Sequence, residues 1–484
     1  MKGVEIEQPL KLHFIPYLSP GHMIPLCDIA TLFASRGQQV TITTTPLNSH
    51  FFTNKSPFFR LHIVDFPSLQ VGLPDGVESL SSTTDHATSI KIYTAAKLLL
   101  EPIGDLMQKD PPDYIIADCI YPGVYDMAHK LQIPILAFTV FSLFTVSLLE
   151  SLRTNHLLHS HMDLGSFVVP NFPHRITLCT NPPKAFTEVM ETMLEAILKS
   201  NGLIVNNFAE LDGQECVKHY EKTTGHKAWH LGPASLIHKT VQEKADRGNE
   251  SVVNVQECLS WLNSKRDNSV LYICFGSICY FSDKQLYEIS CGIEASGHEF
   301  VWVIPEKKGK EDESDEDKQK WLPSGFEERN IGRKKKGLII RGWAPQVMIM
   351  SHNAVGAFMT HCGWNSVVEA VSAGIPMITW PLNGEHFYNE KLITDVHGIG
   401  VEVGATDWSM YVIDEKKVVS RDSIKNAVRR LMDGGIEAEE IRRRSQELGE
   451  KARLAVQQGG SSNNNLLTLI EDLTRLKHIR KPLH

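Results

Sequence analysis

Residues 343–386 read WAPQVMIMSHNAVGAFMTHCGWNSVVEAVSAGIPMITWPLNGEH, and this stretch decides the fold class. Two short apolar runs in it, residues 355–359 and 376–379, have the length and bounding residues of buried parallel strands. A helical pattern lies between the runs, with Trp364 and Val368 on one face. Strand, helix and strand in this order predict a parallel βα unit, and therefore an α/β protein.

The join between the first strand and the helix, residues 361–366, has the chemistry of an anion site. Gly363 has no side chain, so a ligand can approach its backbone closely. Asn365 and Ser366 lie at the predicted helix N-terminus, where free N–H groups and the macrodipole favour an anion. His361 can donate a further hydrogen bond. We therefore expect a phosphate group at this join.

Side chains around the join suit the other parts of a nucleotide. Glu369 lies one turn after Asn365 on the same helix face, so its carboxylate can accept hydrogen bonds from a ribose diol. Trp343 and Gln346 follow an earlier predicted strand, residues 338–340, and Trp343 offers a flat face for a base. The stretch therefore predicts a site for a nucleotide.

Glu385 and His386 follow the last strand and offer polar groups to a small hydroxylated ligand, which completes a nucleotide-sugar site.

The whole of residues 343–386 closely resembles the signature box of plant family 1 secondary-product glycosyltransferases. That resemblance implies the GT-B fold, in which two facing Rossmann-like domains with parallel sheets enclose a cleft. It implies UDP-sugar as co-substrate and no other cofactor. The sequence shows no convincing cluster of carboxylates for a metal, and the helix dipole supplies part of what a metal would, so we expect no metal.

The resemblance assigns a donor contact to most residues of the box. It implies uracil at Trp343 and the backbone of Ala344, ribose at Gln346 and Glu369, diphosphate at His361, Asn365 and Ser366, and the sugar at Trp364, Glu385 and His386.

One position departs from the family pattern, because the box usually ends in Asp-Gln or Glu-Gln and here ends in Glu385-His386. Gln offers two donors and one acceptor on a flexible arm, whereas neutral His offers one of each on a shorter, rigid ring. Family members that prefer UDP-galactose often carry His at this position. We expect glucose as the sugar, with galactose as the alternative.

The rest of the chain repeats the βα pattern in two halves. Strands are predicted at residues 11–17, 39–43, 61–66, 114–117, 133–138, 202–205, around Trp229, 270–275 and 300–304, besides those named above. Residues 398–404, GIGVEVG, are interpreted as a helix stop and not as a dinucleotide fingerprint. With the resemblance, we expect an N-terminal acceptor-binding domain (1–240), a polar linker (241–254), a C-terminal UDP-sugar-binding domain (255–460) and a helix that crosses back (461–484).

Ligands of open parallel sheets gather at the carboxyl ends of the strands. Six residues each come just after a predicted strand and are therefore expected to line one crevice: Ser277, Trp343, His361 and Glu385 from the second half, and His22 and Asp118 from the first.

His22 is the candidate catalytic base. It begins a predicted helix, whose dipole disfavours the imidazolium ion and keeps the ring able to accept a proton. Asp118 can bond the far ring nitrogen and orient the base, and the family uses a His and an Asp at the matching positions. The structural alternative is a helix-capping His beside an unrelated Asp. Direct displacement by an acceptor oxygen would invert an α-linked donor to a β-glycoside.

The acceptor is expected in the N-terminal domain, where Phe141, Ser142 and Phe144 are candidates and packing in a helix core is their alternative. The motifs PGHMIP, VGLPDG, FAELDG and HFYNEKL resemble the triterpenoid and saponin branch of the family. That branch implies a hydroxyl or carboxyl of a bulky apolar metabolite. A flavonoid or other phenolic, a UDP-sugar-binding protein without transfer activity, and a sugar-nucleotide epimerase remain alternatives.

Composition limits the class of protein. The chain has 484 residues, enough for two domains, and 42% hydrophobic with 22% charged residues is typical of a globular protein. A net charge of −8 argues against nucleic acid or an anionic membrane as partner. Nine scattered cysteines are interpreted as reduced thiols. The uncharged run at residues 133–149 is interpreted as a buried strand and helix. We expect a cytoplasmic monomer that does not span a membrane.

Overall fold

The structure is a computed structural model that describes residues 8–53, 59–83, 85–159, 166–178, 182–277, 279, 281–305, 320–333, 335–408 and 417–480. It holds two parallel sheets, one in each half of the chain, as the alternating pattern predicts. Helices cover both sheets, so the central strands are buried on both faces and read as nearly continuous apolar runs.

The N-terminal sheet has seven strands in the order β3-β2-β1-β4-β5-β8-β9. Its strands are β1 (Lys11–Ile15), β2 (Gln39–Thr44), β3 (Phe59–Ile63), β4 (Tyr114–Asp118), β5 (Ile135–Thr139), β8 (Leu203–Val205) and β9 (Ala228–His230). A separate antiparallel pair is formed by β6 (Phe167–Val168) and β7 (Thr177–Leu178).

The C-terminal sheet has six strands in the order β12-β11-β10-β13-β14-β15. Its strands are β10 (Val270–Cys274), β11 (Glu299–Ile304), β12 (Gly337–Arg341), β13 (Val355–Thr360), β14 (Met377–Thr379) and β15 (Gly400–Glu402).

The α-helices span Pro20–Ser35, Ser68–Val71, His86–Leu98, Leu100–Lys109, Val124–Lys130, Leu143–Thr154, Lys184–Lys199, Ala209–Asp212, Gln214–Thr224, Val241–Ala245, Val255–Asn263, Asp283–Ser296, Gln346–Met350, Trp364–Ala373, His386–Lys391, Arg421–Met432, Ile436–Ala455 and Ser461–Arg480. Short 3-10 turns span Ser49–Phe51, Leu80–Ser82 and Ala234–Ile237, and π-helical turns span Glu328–Arg333 and Leu392–Val396. Among the described helices, none is long and apolar enough to cross a membrane.

The glycine-rich residues 398–404 agree with their interpretation as a helix stop, because Gly398, at a φ of +59°, comes just after the end of the π-helical turn Leu392–Val396. The strand β15 comes after it and pairs with β14 at the sheet edge. The bounds of the third strand differ from the sequence-based prediction. The third strand begins at Phe59 and ends at Ile63, earlier than the predicted residues 61–66, because its register is set by pairing with β2.

The final helix, Ser461–Arg480, packs against the N-terminal sheet, as the resemblance implies. The Tyr114 hydroxyl on β4 donates to the Leu473 carbonyl at 2.8 Å. At the start of the helix, the Ser462 hydroxyl donates to the Gly232 carbonyl at 2.5 Å. The last helix therefore connects the C-terminal half of the chain to the N-terminal domain. The N-terminal and C-terminal domains are called the first and second lobes below.

Leu469→Ala should destabilise the protein by about 2–5 kcal/mol, because Leu469 is 1% exposed in this interface and its loss leaves a cavity. The matched control is Leu467→Ala on the same helix, since Leu467 is 41% exposed and its loss should change stability by less than about 0.5 kcal/mol. Denaturant unfolding of both variants measures the difference. Equal losses would show that this helix is not docked.

Candidate active site

A cavity of about 490 Å³ lies between the two lobes. Residues at the carboxyl ends of strands from both sheets, and at the starts of the helices that follow these strands, line the cavity, as expected for ligand sites of open parallel sheets. The lining includes His22 from the first lobe and every donor residue expected from the sequence, namely Ser277, Trp343, Ala344, Gln346, His361, Trp364, Asn365, Ser366, Glu369, Glu385 and His386. Their arrangement in one cavity follows from the fold.

The start of helix Trp364–Ala373 forms the floor of the cavity. Gly363 precedes it in an extended conformation, and a Cβ at this position would lie 2.4 Å from Nε2 of His361. Only glycine therefore fits between the strand end and the helix. Burial lowers the pKa of His361 to about 4, so the ring is neutral near pH 7. Its buried Nδ1 has no hydrogen-bond partner among the described residues.

Glu369, one turn into this helix, has both carboxylate oxygens engaged. Oε2 accepts from Nε2 of Gln346 at 2.8 Å, and Oε1 accepts from Nη1 of Arg247 at 2.5 Å. Gln346 Nε2 also lies 3.2 Å from the Ser366 hydroxyl. Each carboxylate oxygen has two lone pairs, so Glu369 can still accept from further hydroxyls.

Trp343 lies at the end of the cavity under the segment between the two domains. Its carbonyl accepts from the Val252 N–H at 3.1 Å, and a Cβ at Gly248 would lie 2.3 Å from its indole ring. Nε1 of the indole is buried without a hydrogen-bond partner among the described residues. The indole ring of Trp343, which is expected to stack on a base, therefore lies between the two domains.

Glu385 and His386, the last two residues of the signature box, also line the cavity. Glu385 accepts the Trp364 backbone N–H at 3.3 Å, and burial raises the pKa of this carboxyl to about 7. Nδ1 of His386 lies 3.3 Å from the Asn383 N–H and must accept from it, so the proton of the neutral ring is on Nε2. Burial, with His361 adjacent, lowers the pKa of His386 well below its ordinary value. His386 therefore presents a hydrogen-bond donor to the cavity.

His22 and Asp118 form the pair expected for a base and its orienting carboxylate. Nδ1 of His22 lies 2.6 Å from Oδ2 of Asp118, and the side chains are 15% and 0% exposed. The Ile120 N–H donates to Oδ1 of Asp118 at 3.1 Å and fixes the carboxylate. The Tyr17 ring packs edge-on against the imidazole. Since Nδ1 faces the carboxylate, Nε2 is the nitrogen that can take a proton from a ligand.

Two side chains of helix Trp364–Ala373 also form hydrogen bonds with the first lobe. The Asn365 amide donates to the Gly21 carbonyl at 2.6 Å, and the Trp364 indole N–H donates to the Asn206 carbonyl at 3.1 Å. These bonds use side-chain groups that the resemblance had left for the diphosphate and the sugar. The backbone N–H of Trp364 donates to Glu385, whereas that of Asn365 is one of the N–H groups at the helix start that lack a partner within the helix.

Of the three acceptor candidates, only Phe141 lines the cavity. Ser142 instead caps helix Leu143–Thr154, where its hydroxyl accepts the Thr145 N–H at 3.0 Å. Phe144 is fully buried and packs edge-on against Phe172. The expectation that Ser142 and Phe144 face the cleft is therefore corrected, because capping and core packing take these two side chains.

The sequence-based interpretation missed the contribution of the segment between the domains. Residues 241–254 were expected to be a polar linker, yet Arg247, Asn249, Glu250 and Val252 line the cavity. Their polar, aperiodic pattern has the same appearance in a solvated linker and in a segment folded over a site. Within this segment, Gly248 directly after Arg247 was the local feature that could have indicated a contribution to the site.

Comparisons with known proteins agree with this geometry. Residues 21–446 match the family model described as UDP-glucoronosyl and UDP-glucosyl transferase. The chain is 44% identical to UDP-glucosyl transferase 73CC6 of Saponaria officinalis, with 98% of each chain covered. It is 43% identical to UDP-glucose flavonoid 3-O-glucosyltransferase 7 of Fragaria ananassa, with 97% of each covered.

Solved structures are similar over nearly the whole chain. UGT73P12 of Glycyrrhiza uralensis, in complex with glycyrrhetinic acid 3-O-monoglucuronide, has a TM-score of 0.88 at 37% identity, covering 98% of this chain and 97% of that one. UGT89C1 of Arabidopsis thaliana, in complex with UDP-L-rhamnose, has a TM-score of 0.75 at 28% identity, with 97% and 100% covered. The predicted GT-B fold is confirmed.

The raised pKa of Glu385 predicts a pH dependence of donor use. Below about pH 7 the carboxyl holds a proton and loses its capacity as a charged acceptor for sugar hydroxyls. We expect the KM for UDP-glucose to rise as pH falls below 7, by up to about tenfold per pH unit. Glu385→Gln should flatten this profile, as initial-rate kinetics would show. The same rise in the variant would assign the titration to another group.

Proposed function

The chain belongs to the UDP-glucoronosyl and UDP-glucosyl transferase family and is a UDP-glycosyltransferase, and we propose that it moves a hexose to a bulky apolar plant metabolite. The sugar is glucose, with galactose next, and the acceptor group is a hydroxyl or carboxyl of a triterpenoid or saponin. The observation that carries the proposal is His22, which lines the same cavity as the residues of the signature box and is bonded from behind by the buried Asp118.

His22 acts as the general base. Its Nε2 takes the proton of the acceptor hydroxyl while the oxygen attacks the anomeric carbon, and Asp118 stabilises the imidazolium that forms. The bond from the anomeric carbon to the UDP oxygen breaks as the new bond forms, so the configuration inverts from α to β. Asp118 is buried and held by a backbone N–H, which orients the base before the acceptor arrives.

Departure of UDP requires stabilisation of a developing negative charge. The start of helix Trp364–Ala373 supplies oriented N–H groups and the positive end of its dipole. His361 adds a ring that burial keeps neutral and therefore able to donate one hydrogen bond. We propose that these groups suffice and that the reaction needs no metal ion.

The first lobe supports an apolar acceptor. Ile24, Pro25, Val140 and Phe141 line its side of the cavity, so the acceptor meets mainly hydrocarbon next to the His22 base. The relative from Glycyrrhiza uralensis was solved with glycyrrhetinic acid 3-O-monoglucuronide, a triterpenoid glycoside. A flavonoid is the second candidate, since the Fragaria ananassa relative is named for that acceptor.

His386 bears on the choice of sugar. With Nδ1 accepting from Asn383, the ring can only donate toward the sugar, whereas glutamine can both donate and accept. A rigid hydrogen-bond donor at this position distinguishes sugars that differ in the configuration of a hydroxyl, because the configuration decides where the hydroxyl oxygen lies relative to the ring N–H.

A donor panel tests the proposed function. Purified protein is incubated in EDTA with UDP-glucose, UDP-galactose, UDP-xylose or UDP-glucuronate, each with triterpenoid or flavonoid acceptors and without any acceptor, and products are read by mass spectrometry. We expect a hexosylated triterpenoid, with UDP-glucose ahead of UDP-galactose. Transfer only to flavonoids would contradict the acceptor class. Conversion of the UDP-sugar without acceptor would indicate an epimerase, and a requirement for added metal would contradict the metal-free mechanism.

His22→Ala should separate the two kinds of acceptor. Transfer to a hydroxyl should fall by about 10²–10⁴-fold, because the base that removes its proton is lost. Ester formation should fall much less, since a carboxylic acid is already ionised near neutral pH. The comparison uses initial rates on one acceptor of each kind.

His129→Ala is the matched control, because His129 is an exposed histidine of the same lobe that bonds the Lys199 carbonyl. It should keep the wild-type rate on both acceptors. Equal losses on hydroxyl and carboxyl acceptors in His22→Ala would refute the assignment of His22 as a base only.

A further inference from the structure

Arg247 is a buried cation that the family signature does not include. It lies outside residues 343–386, in the segment between the domains, and its side chain is 8% exposed. Nε donates to Oδ2 of Asp28 at 2.8 Å, and Nη1 donates to Oε1 of Glu369 at 2.5 Å. One guanidinium therefore joins carboxylates from the two lobes.

The first carboxylate belongs to the helix that carries the base. Asp28 lies in helix Pro20–Ser35, six residues after His22. Burial alone would raise the pKa of Asp28, but Arg247 and His238 offset this effect, and the pKa lies below its ordinary value. Nε2 of His238 lies 2.8 Å from the other carboxylate oxygen. Asp28 is thus a charged anchor in the first lobe.

The second carboxylate is the one expected to accept the ribose. Gln346 holds Oε2 of Glu369, and Arg247 holds Oε1, so both oxygens have a fixed direction. A carboxylate held in this way offers its remaining lone pairs to a diol in one orientation. Arg is suited to this work because its planar, permanently charged fork can bond two carboxylates at once.

The neighbours of Arg247 place it beside the expected base platform. Gly248 has a φ of +102°, and a Cβ there would lie 2.3 Å from the Trp343 ring. The Asn249 side chain bonds His50 of the first lobe at 2.8 Å, and Val252 bonds the Trp343 carbonyl. The segment is therefore folded along the nucleotide end of the cavity and fixed to both lobes.

We propose that Arg247 is a positioning residue for the nucleoside: braced by Asp28, it holds Glu369 in the orientation that binds the ribose diol. The proposal rests on the proposed function, in which Glu369 accepts the ribose hydroxyls. Through the same ion pairs, correct seating of the ribose is linked to the helix that carries His22. A purely structural clamp would make the same contacts, so the test has to report on the ribose itself.

The test compares the affinities of UDP and 2′,3′-dideoxy-UDP, measured by isothermal titration calorimetry on the full chain. The wild type should bind UDP at least about tenfold more tightly, because only UDP offers the diol hydrogen bonds. Arg247→Met should reduce this preference to less than about threefold, mainly through weaker binding of UDP. Arg247→Lys should lose most of the preference as well, because one ammonium group cannot reproduce the fork.

Lys244→Met is the matched control, since Lys244 is a cation three residues earlier that contacts the Ser351 hydroxyl and not Glu369. It should keep the wild-type preference. Arg247→Met leaves two buried carboxylates without their cation, so thermal melting checks that it is folded, and Arg247→Lys decides the matter if it is not.

Loss of affinity by the same factor for UDP and for the dideoxy nucleotide in both Arg247 variants would overturn the proposal and leave Arg247 as a structural clamp. A wild type that does not distinguish the two nucleotides would instead overturn the assignment of Glu369 to the ribose. The two failures are therefore distinguishable.

Discussion

A hydrogen bond between the two lobes lies at the centre of the site: the Asn365 amide donates to the Gly21 carbonyl at 2.6 Å. Asn365 is in the first turn of the helix that faces the expected diphosphate, and Gly21 directly precedes His22. Two helix starts, one from each lobe, therefore meet across the cavity. The bond of the Trp364 indole to the Asn206 carbonyl reinforces the same contact. The base and the leaving-group site belong to separate lobes, and without this apposition they would not face the same cavity.

Burial sets the charges that the site presents to a dianionic donor. It keeps His361 neutral and raises the pKa of Glu385 to about 7, which limits the negative charge at the position expected for the sugar. Glu369 is compensated by Arg247, which also neutralises Asp28 on the base helix. The cavity thus separates the region expected for the sugar and diphosphate, where His361 is neutral and Glu385 is partly protonated near pH 7, from a fixed ion-pair network at the position expected for the ribose. The helix dipole is then free to act on the phosphates.

The sequence predicted the parts of the structure that have a strong local signal. The strand predicted at residues 355–359 is observed as Val355–Thr360. Five of the six residues expected after strand ends line one cavity because parallel strands all end on one side, whereas Asp118 is fully buried behind His22 and does not line it. Ser142 was misread because a serine that caps a helix and one that faces a cleft look alike in sequence. Arg247 was missed because its partners lie 219 and 122 residues away, and no local period marks such contacts.

The central claim is that one closed cleft places the donor between the start of helix Trp364–Ala373 and His22. A crystal structure of the protein with UDP tests it most directly. We expect uracil against Trp343, ribose hydroxyls on Glu369 and diphosphate oxygens at the helix start, with the Asn365 to Gly21 bond intact. A diphosphate bound elsewhere, or lobes that part so that His22 leaves the cavity, would contradict it.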